Sequence, residues 1–223
     1  MTTIVTDDRA SLHVQDSGGT GPAILFLHDL DCDGHYWEHV LDRVRTLAPE
    51  VRFLVMDLRG HGASGWGEAP SRKRLVKDCK RVCKELHVDH PLVVGHGLGA
   101  DIALAFEDAG AVVAINPRLG REDAVPFPAD LERPEFMHGA ANPDVLDAYR
   151  VGLASAKPLR RTKRDAPVLL VFADPADADA LADSDTMEHA LDVYGIQQAS
   201  RHLPIEMPSA VAALVCSWMQ EAM

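Results

Sequence analysis

The chain has 223 residues, with 22 lysines and arginines against 34 acids, a formal net charge of −12. That length suits one compact domain with a sizeable core, and 47% hydrophobic with 25% charged residues excludes wholesale disorder. The acidic balance argues against nucleic acid or anionic membrane as partners, because both are held by clustered positive charge. No apolar run approaches the ~18 residues of a membrane span. Met1-Thr2-Thr3-Ile4 lacks the charged and apolar regions of a secretory signal. The four cysteines, Cys32, Cys79, Cys83 and Cys216, form no CxxC pair and show no metal-finger spacing. A reduced, cytoplasmic setting is the expectation.

Strand-like and helix-like runs alternate along most of the chain, which predicts an α/β architecture with a mostly parallel sheet and helices on both faces. Residues 12–15 read as a strand, followed by a glycine-rich turn at 17–22. Residues 23–28 form a continuous apolar run, as a strand buried on both faces requires. A helix is expected over 35–47, with Trp37, Val40, Leu41, Val44 and Leu47 on one stripe. A second buried strand spans 51–56. Residues 70–86 read as an amphipathic helix whose basic residues, from Arg72 to Lys84, form its wet face. Strands follow at 91–94 and 111–115, with a helix at 98–107 between them.

From Asn116 to Ala166 the texture changes to Pro, Arg and Asp, with a weak helical patch at 143–153. The strand pattern restarts at 167–173, and closing helices are expected at 181–194 and 209–219. These readings place a core at 1–117 and 167–223 and a lid insertion at 118–166, where an active-site cover would sit.

The central feature is Leu92-Val93-Val94-Gly95-His96-Gly97-Leu98-Gly99-Ala100. It reads as strand, glycine-rich turn and helix, the context of a Gly-x-Ser-x-Gly nucleophile elbow. The nucleophile position holds Gly97, which has no side chain to attack a carbonyl. Gly95-x-Gly97-x-x-Ala100 also spells a dinucleotide fingerprint, but the next strand ends in Asn116 where an acid is wanted. Asp29-x-Asp31-x-Asp33-Gly34 mimics the start of a calcium loop, yet its twelfth position is Val40. His61 and His96 fall at neighbouring strand ends and read as structural. No cofactor and no metal are therefore expected.

Three segments together resemble the α/β-hydrolase superfamily. They are Leu25-Phe26-Leu27-His28-Asp29 with Tyr36-Trp37, Asp57-Leu58-Arg59-Gly60-His61-Gly62-Ala63-Ser64, and the elbow at Gly95 to Gly99. The loop texture is most similar to small esterases and enol-lactonases. The resemblance implies a triad histidine before the last helix, which His202 fits. It implies an acid after strand 167–173, for which Asp177 is first choice and Asp174 second, though neither keeps the family's usual spacing. It also implies an oxyanion hole made by the backbone N–H groups of Leu30 and Leu98. Asp29, Asp31, Cys32 and His96 are expected to line the pocket. Asp29 stands where the family has glycine; aimed inward it would oppose an oxyanion, and aimed outward it is neutral.

A serine needs the imidazole to take its proton and the carboxylate to orient that imidazole. Without the serine, ordinary acyl-enzyme catalysis is absent. The expected function is an α/β-hydrolase-fold protein acting on a small carbonyl compound, namely an ester, lactone or thioester. A His202–Asp177 dyad acting as general base without any cofactor, in lyase or isomerase chemistry, is the alternative. A non-catalytic pocket for a small ligand or partner is another, and oligomerisation is left open. On these expectations, placing a serine at position 97 is the direct test.

Overall fold

The computed structural model describes residues 1–30, 32–117, 143–154, 166–176, 191–196 and 202–222. Among them runs an eight-stranded sheet in the order β1-β2-β4-β3-β5-β6-β7-β8. Its strands are β1 (Thr2–Val5), β2 (Ser11–Asp16), β3 (Ala23–Leu27), β4 (Arg52–Met56), β5 (Leu92–His96), β6 (Ala111–Ile115), β7 (Val168–Phe172) and β8 (Leu191–Gly195). The pairings of β1 with β2 and of β2 with β4 are antiparallel, and the other five are parallel. The expected α/β class with its mostly parallel sheet is the one observed.

Successive side chains of a strand leave on opposite faces, and here each face meets its own layer of helices. From β3, Leu25 and Leu27 join the core beneath α2 (Arg72–Glu85) and α3 (Leu98–Ala105). Ile24 and Phe26 join the opposite core, with α1 (Glu38–Leu47) and α6 (Pro208–Ala222). A single 3-10 turn, Gly34–Trp37, precedes α1, and Asp33 caps it through His35 N–H at 2.9 Å. The short α5 (Leu203–Glu206) precedes α6. α4 (Pro143–Ala154) falls inside the stretch expected to be a lid.

Two expectations about elements need correction. Residues 191–194, read as the end of a helix, are strand β8, which pairs in parallel with β7 from Val168↔Leu191 to Phe172↔Gly195; residues 181–190 lie outside the described set. The strand Thr2–Val5 went unread. It is an edge strand with only Ile4 buried, so it shows no apolar run.

Strand order reverses between β3 and β5. Neighbours of β3 lie on both sides, and the loops leaving the carboxyl ends of β3 and β5 meet at this switch point. Those loops are held by buried polar groups. His28 Nε2 accepts the Leu58 N–H at 2.9 Å, which leaves its Nδ1 to donate to the Asp29 carbonyl at 2.6 Å. Burial, reinforced by the neighbouring His61, pushes the His28 imidazole down to about 4, so it stays neutral in this role. His61 bridges the carbonyl oxygens of Arg59, at 3.0 Å, and of Leu30. Asp57 accepts the N–H groups of Gly34 and Ala63, at 2.7 and 2.9 Å.

The Arg59 guanidinium is almost wholly buried. It makes a two-pronged pair with Asp78, at 2.8 and 2.7 Å, and reaches Asp8 at 2.7 Å. Burial opposes its charge, but the two carboxylates more than offset that and raise its pKa. The Arg59 carbonyl also accepts the Tyr149 hydroxyl at 2.9 Å, which ties α4 to the loop after β4.

Removing Asp78 leaves a buried cation short of its main partner, so Asp78→Ala is expected to cost ~3 kcal/mol in urea unfolding at pH 7. His28 gives a pH signature. The unfolded chain takes up its proton near 6.5 and the native chain only near 4, so this contribution to stability is complete above that range and falls as pH drops through it. Wild type is expected to lose about 1.2 kcal/mol more than His28→Asn between pH 6 and 5, read from urea midpoints.

Candidate active site

β3 and β5 run parallel with Leu27 beside Gly95, and Asp29 and Gly97 each lie two residues beyond that pair. The two residues therefore emerge side by side at the switch point. Gly97 turns the chain from β5 into α3 with φ +53° and ψ −112°, a conformation that side-chain-bearing residues rarely adopt. Gly99 lets α3 press against β3, since a Cβ there would run into the Leu27 carbonyl.

A Cβ placed on Gly97 would fall inside contact distance of the Asp29 Cγ and both its carboxylate oxygens. The space that a side chain at the elbow would use is filled by the carboxylate of Asp29. Its Oδ1 accepts the Leu98 N–H at 2.8 Å and the Leu30 N–H at 2.8 Å. These are the two donors expected to form the oxyanion hole. They do converge, and a carboxylate of the chain itself occupies them. Asp29 is 2% exposed, so it points inward and not to solvent. Leu98 also begins α3, and the amino end of a helix adds to the field that suits an anion.

Around the carboxylate lies a run of aromatic and imidazole rings. His96 Nδ1 stands 4.0 Å from Asp29 Oδ2. The His96 ring stacks on Tyr36 at 5.1 Å, and Tyr36 meets His202 edge-on at 6.3 Å. His202 is 8% exposed and immediately precedes α5. The histidine expected near the end of the chain thus joins the same contiguous cluster as Asp29 and Gly97. Cys32 is buried in the apolar layer that also contains Tyr36 and Trp37.

Two expected site residues, Asp177 and Asp31, lie outside the described residues. Asp174, the second choice for the acid, is exposed, and its Oδ1 accepts the Ala176 N–H at 2.8 Å. Among the described residues no group of three or more His, Cys, Asp or Glu is arranged to hold a metal ion. Sequence reasoning gave Tyr36 only a place in a family motif, and it treated Asp29 as a departure from glycine. The available signal was the coincidence of an added carboxylate in one loop with a missing side chain in the other.

A further expectation changes with this geometry. A serine at position 97 does not simply refill an empty place, because its Cβ meets the Asp29 carboxylate.

Residues 24–218 match the model of the alpha/beta hydrolase family. Over 107 residues the chain is 32% identical to "Epoxide hydrolase 2" of Siraitia grosvenorii, a match covering 47% of this chain and 33% of that protein. The chain thus spans about a third of the length of that curated relative. A thermophilic esterase from Thermogutta terrifontis shares the fold with a TM-score of 0.80 at 20% identity, over 99% of this chain and 98% of the other. An epoxide hydrolase from Bacillus megaterium does so with a TM-score of 0.78 at 18% identity, over 98% of this chain and all (100%) of the other. With the sheet, the elbow and the paired loop donors all in place, the chain belongs to the alpha/beta hydrolase family.

Proposed function

We propose that this protein is a hydrolase-fold enzyme for a small, largely apolar compound, and that it does not work through an acyl-enzyme at position 97. His202 is its general base, with Asp177 as the proposed acid partner. The observation that carries this reading is the Asp29 carboxylate held on the Leu30 and Leu98 N–H groups.

In acyl transfer those donors must receive the oxygen of the tetrahedral intermediate, and a single donor is worth ~10²–10³ in rate. Here an incoming oxyanion meets a carboxylate already seated there, and like charges in a buried site repel strongly. Family resemblance points to a small ester, lactone or thioester as substrate. The filled hole weighs against all three as acyl donors and favours a route that starts at a side chain other than residue 97. General-base catalysis needs no serine and supplies ~10²–10⁴-fold by itself. The burial of His202 against Tyr36, which in turn stacks on His96, supports its place in that route.

The test is turnover of p-nitrophenyl acetate by the wild type, by Gly97→Ser and by Asp29→Gly/Gly97→Ser. Wild type and Gly97→Ser are expected to be inert, because the serine collides with Asp29. The double variant opens the hole and is expected to exceed Gly97→Ser by ~10²-fold or more. Substantial turnover by Gly97→Ser alone would show that Asp29 does not block the acyl route.

A further inference from the structure

We infer that Asp29 is a relocated nucleophile, a carboxylate delivered from the loop after β3 into the place of the elbow side chain, and that its substrate class is the epoxides. The inference rests on the reading that acyl transfer through residue 97 is closed.

The two oxygens of Asp29 have different surroundings. Oδ1 takes both N–H donors at 2.8 Å, while Oδ2 lies toward His96. The carboxylate is fixed in one orientation by those two N–H groups. It remains a competent nucleophile toward carbon. Bond formation at Oδ2 would also leave Oδ1 as the carbonyl oxygen of the new ester, already inside the hole. The hydrolysis of that ester is then assisted by the same two donors, which would stabilise the negative charge arriving on Oδ1.

This arrangement selects its electrophile. Attack on an ester or lactone carbonyl would create an oxyanion on the substrate, and the Leu30 and Leu98 donors are already committed to Asp29. Attack on a saturated carbon creates no such oxyanion in the hole. The negative charge leaves on the departing atom, and a strained cyclic ether carries its leaving oxygen within the same molecule. The 32% identity to a protein named an epoxide hydrolase agrees with that choice.

Oδ2 attacks a ring carbon, and the ring C–O bond breaks with its electron pair passing to the oxygen. That oxygen takes a proton from water, leaving hydroxide in solution. His202 then removes a proton from a second water, whose oxygen adds to Asp29 Cγ, and the electron pair of the C=O bond moves onto Oδ1. Collapse of this intermediate expels the second alcohol oxygen, which takes its proton from His202. The carboxyl group left on Asp29 ionises, and its proton neutralises the hydroxide. The net reaction is epoxide plus water to a vicinal diol.

Styrene oxide is the probe, used with the full chain. His202→Gln should stop after the first step and accumulate an adduct, adding one styrene oxide mass to the peptide that contains Asp29. Wild type in excess over styrene oxide in H₂¹⁸O should place ¹⁸O in the Asp29 carboxylate and release a first-turnover diol carrying no solvent oxygen. Diol whose new oxygen comes from solvent, with Asp29 unlabelled, would mean that water attacks the ring directly and would overturn the proposal. No diol and no adduct would overturn it as well. Because the labelling uses the wild type, a folding defect in a variant does not blur the answer. Failure of the underlying reading shows separately, as ester turnover by Gly97→Ser.

Discussion

The N–H groups of Leu30 and Leu98 converge on one carboxylate oxygen at the ends of two adjacent parallel strands, and the rest of the site is arranged around that meeting. Only one side chain fits there. A Cβ on Gly97 and the Asp29 carboxylate would overlap, so the glycine and the aspartate are a single structural choice. In a close-packed interior two groups cannot share one volume, so a side chain at position 97 and the Asp29 carboxylate exclude each other in this arrangement.

Much of the buried polar network serves to hold those two donors. The position of Leu30 depends on His61, which grips its carbonyl, and on His28, which holds the carbonyl of Asp29. His61 in turn rests on the Arg59 loop, where Arg59 is fixed by Asp78 and Asp8. Tyr149 of α4 donates to the same Arg59 carbonyl and packs edge-on against His61 at 5.1 Å. A charge pair between the loop after β4 and α2 thereby helps to set the geometry of a backbone N–H in the loop after β3. Such networks rigidify a site when every member is satisfied, because unpaired polar groups are costly in a medium of low dielectric.

Elements with a dense local signal were legible in the chain. Residues 111–115 are apolar throughout and form β6 between two neighbours, and the stripe from Trp37 through Val44 is buried on one side of the sheet. Edge elements were harder. In β8, Asp192 and Tyr194 are exposed and Val193 is half-buried, so a short alternating run has nothing to separate it from the end of a helix. In β1 a single buried residue gives no pattern at all.

The order of the motifs, the vacancy at Gly97, the extra carboxylate at Asp29 and the late histidine at His202 were determined by the sequence alone, because residue identity and spacing carry them. Fold class followed, since alternating strand and helix periods allow few other arrangements. What the tertiary structure decided is where the Asp29 carboxylate goes. Asp29 and Gly97 are far apart along the chain, and neither local propensity nor motif spacing encodes which way a loop side chain turns. That direction was set by the parallel register of β3 and β5, which brings two loops together, and by two N–H donors in a buried site that must be matched by an acceptor.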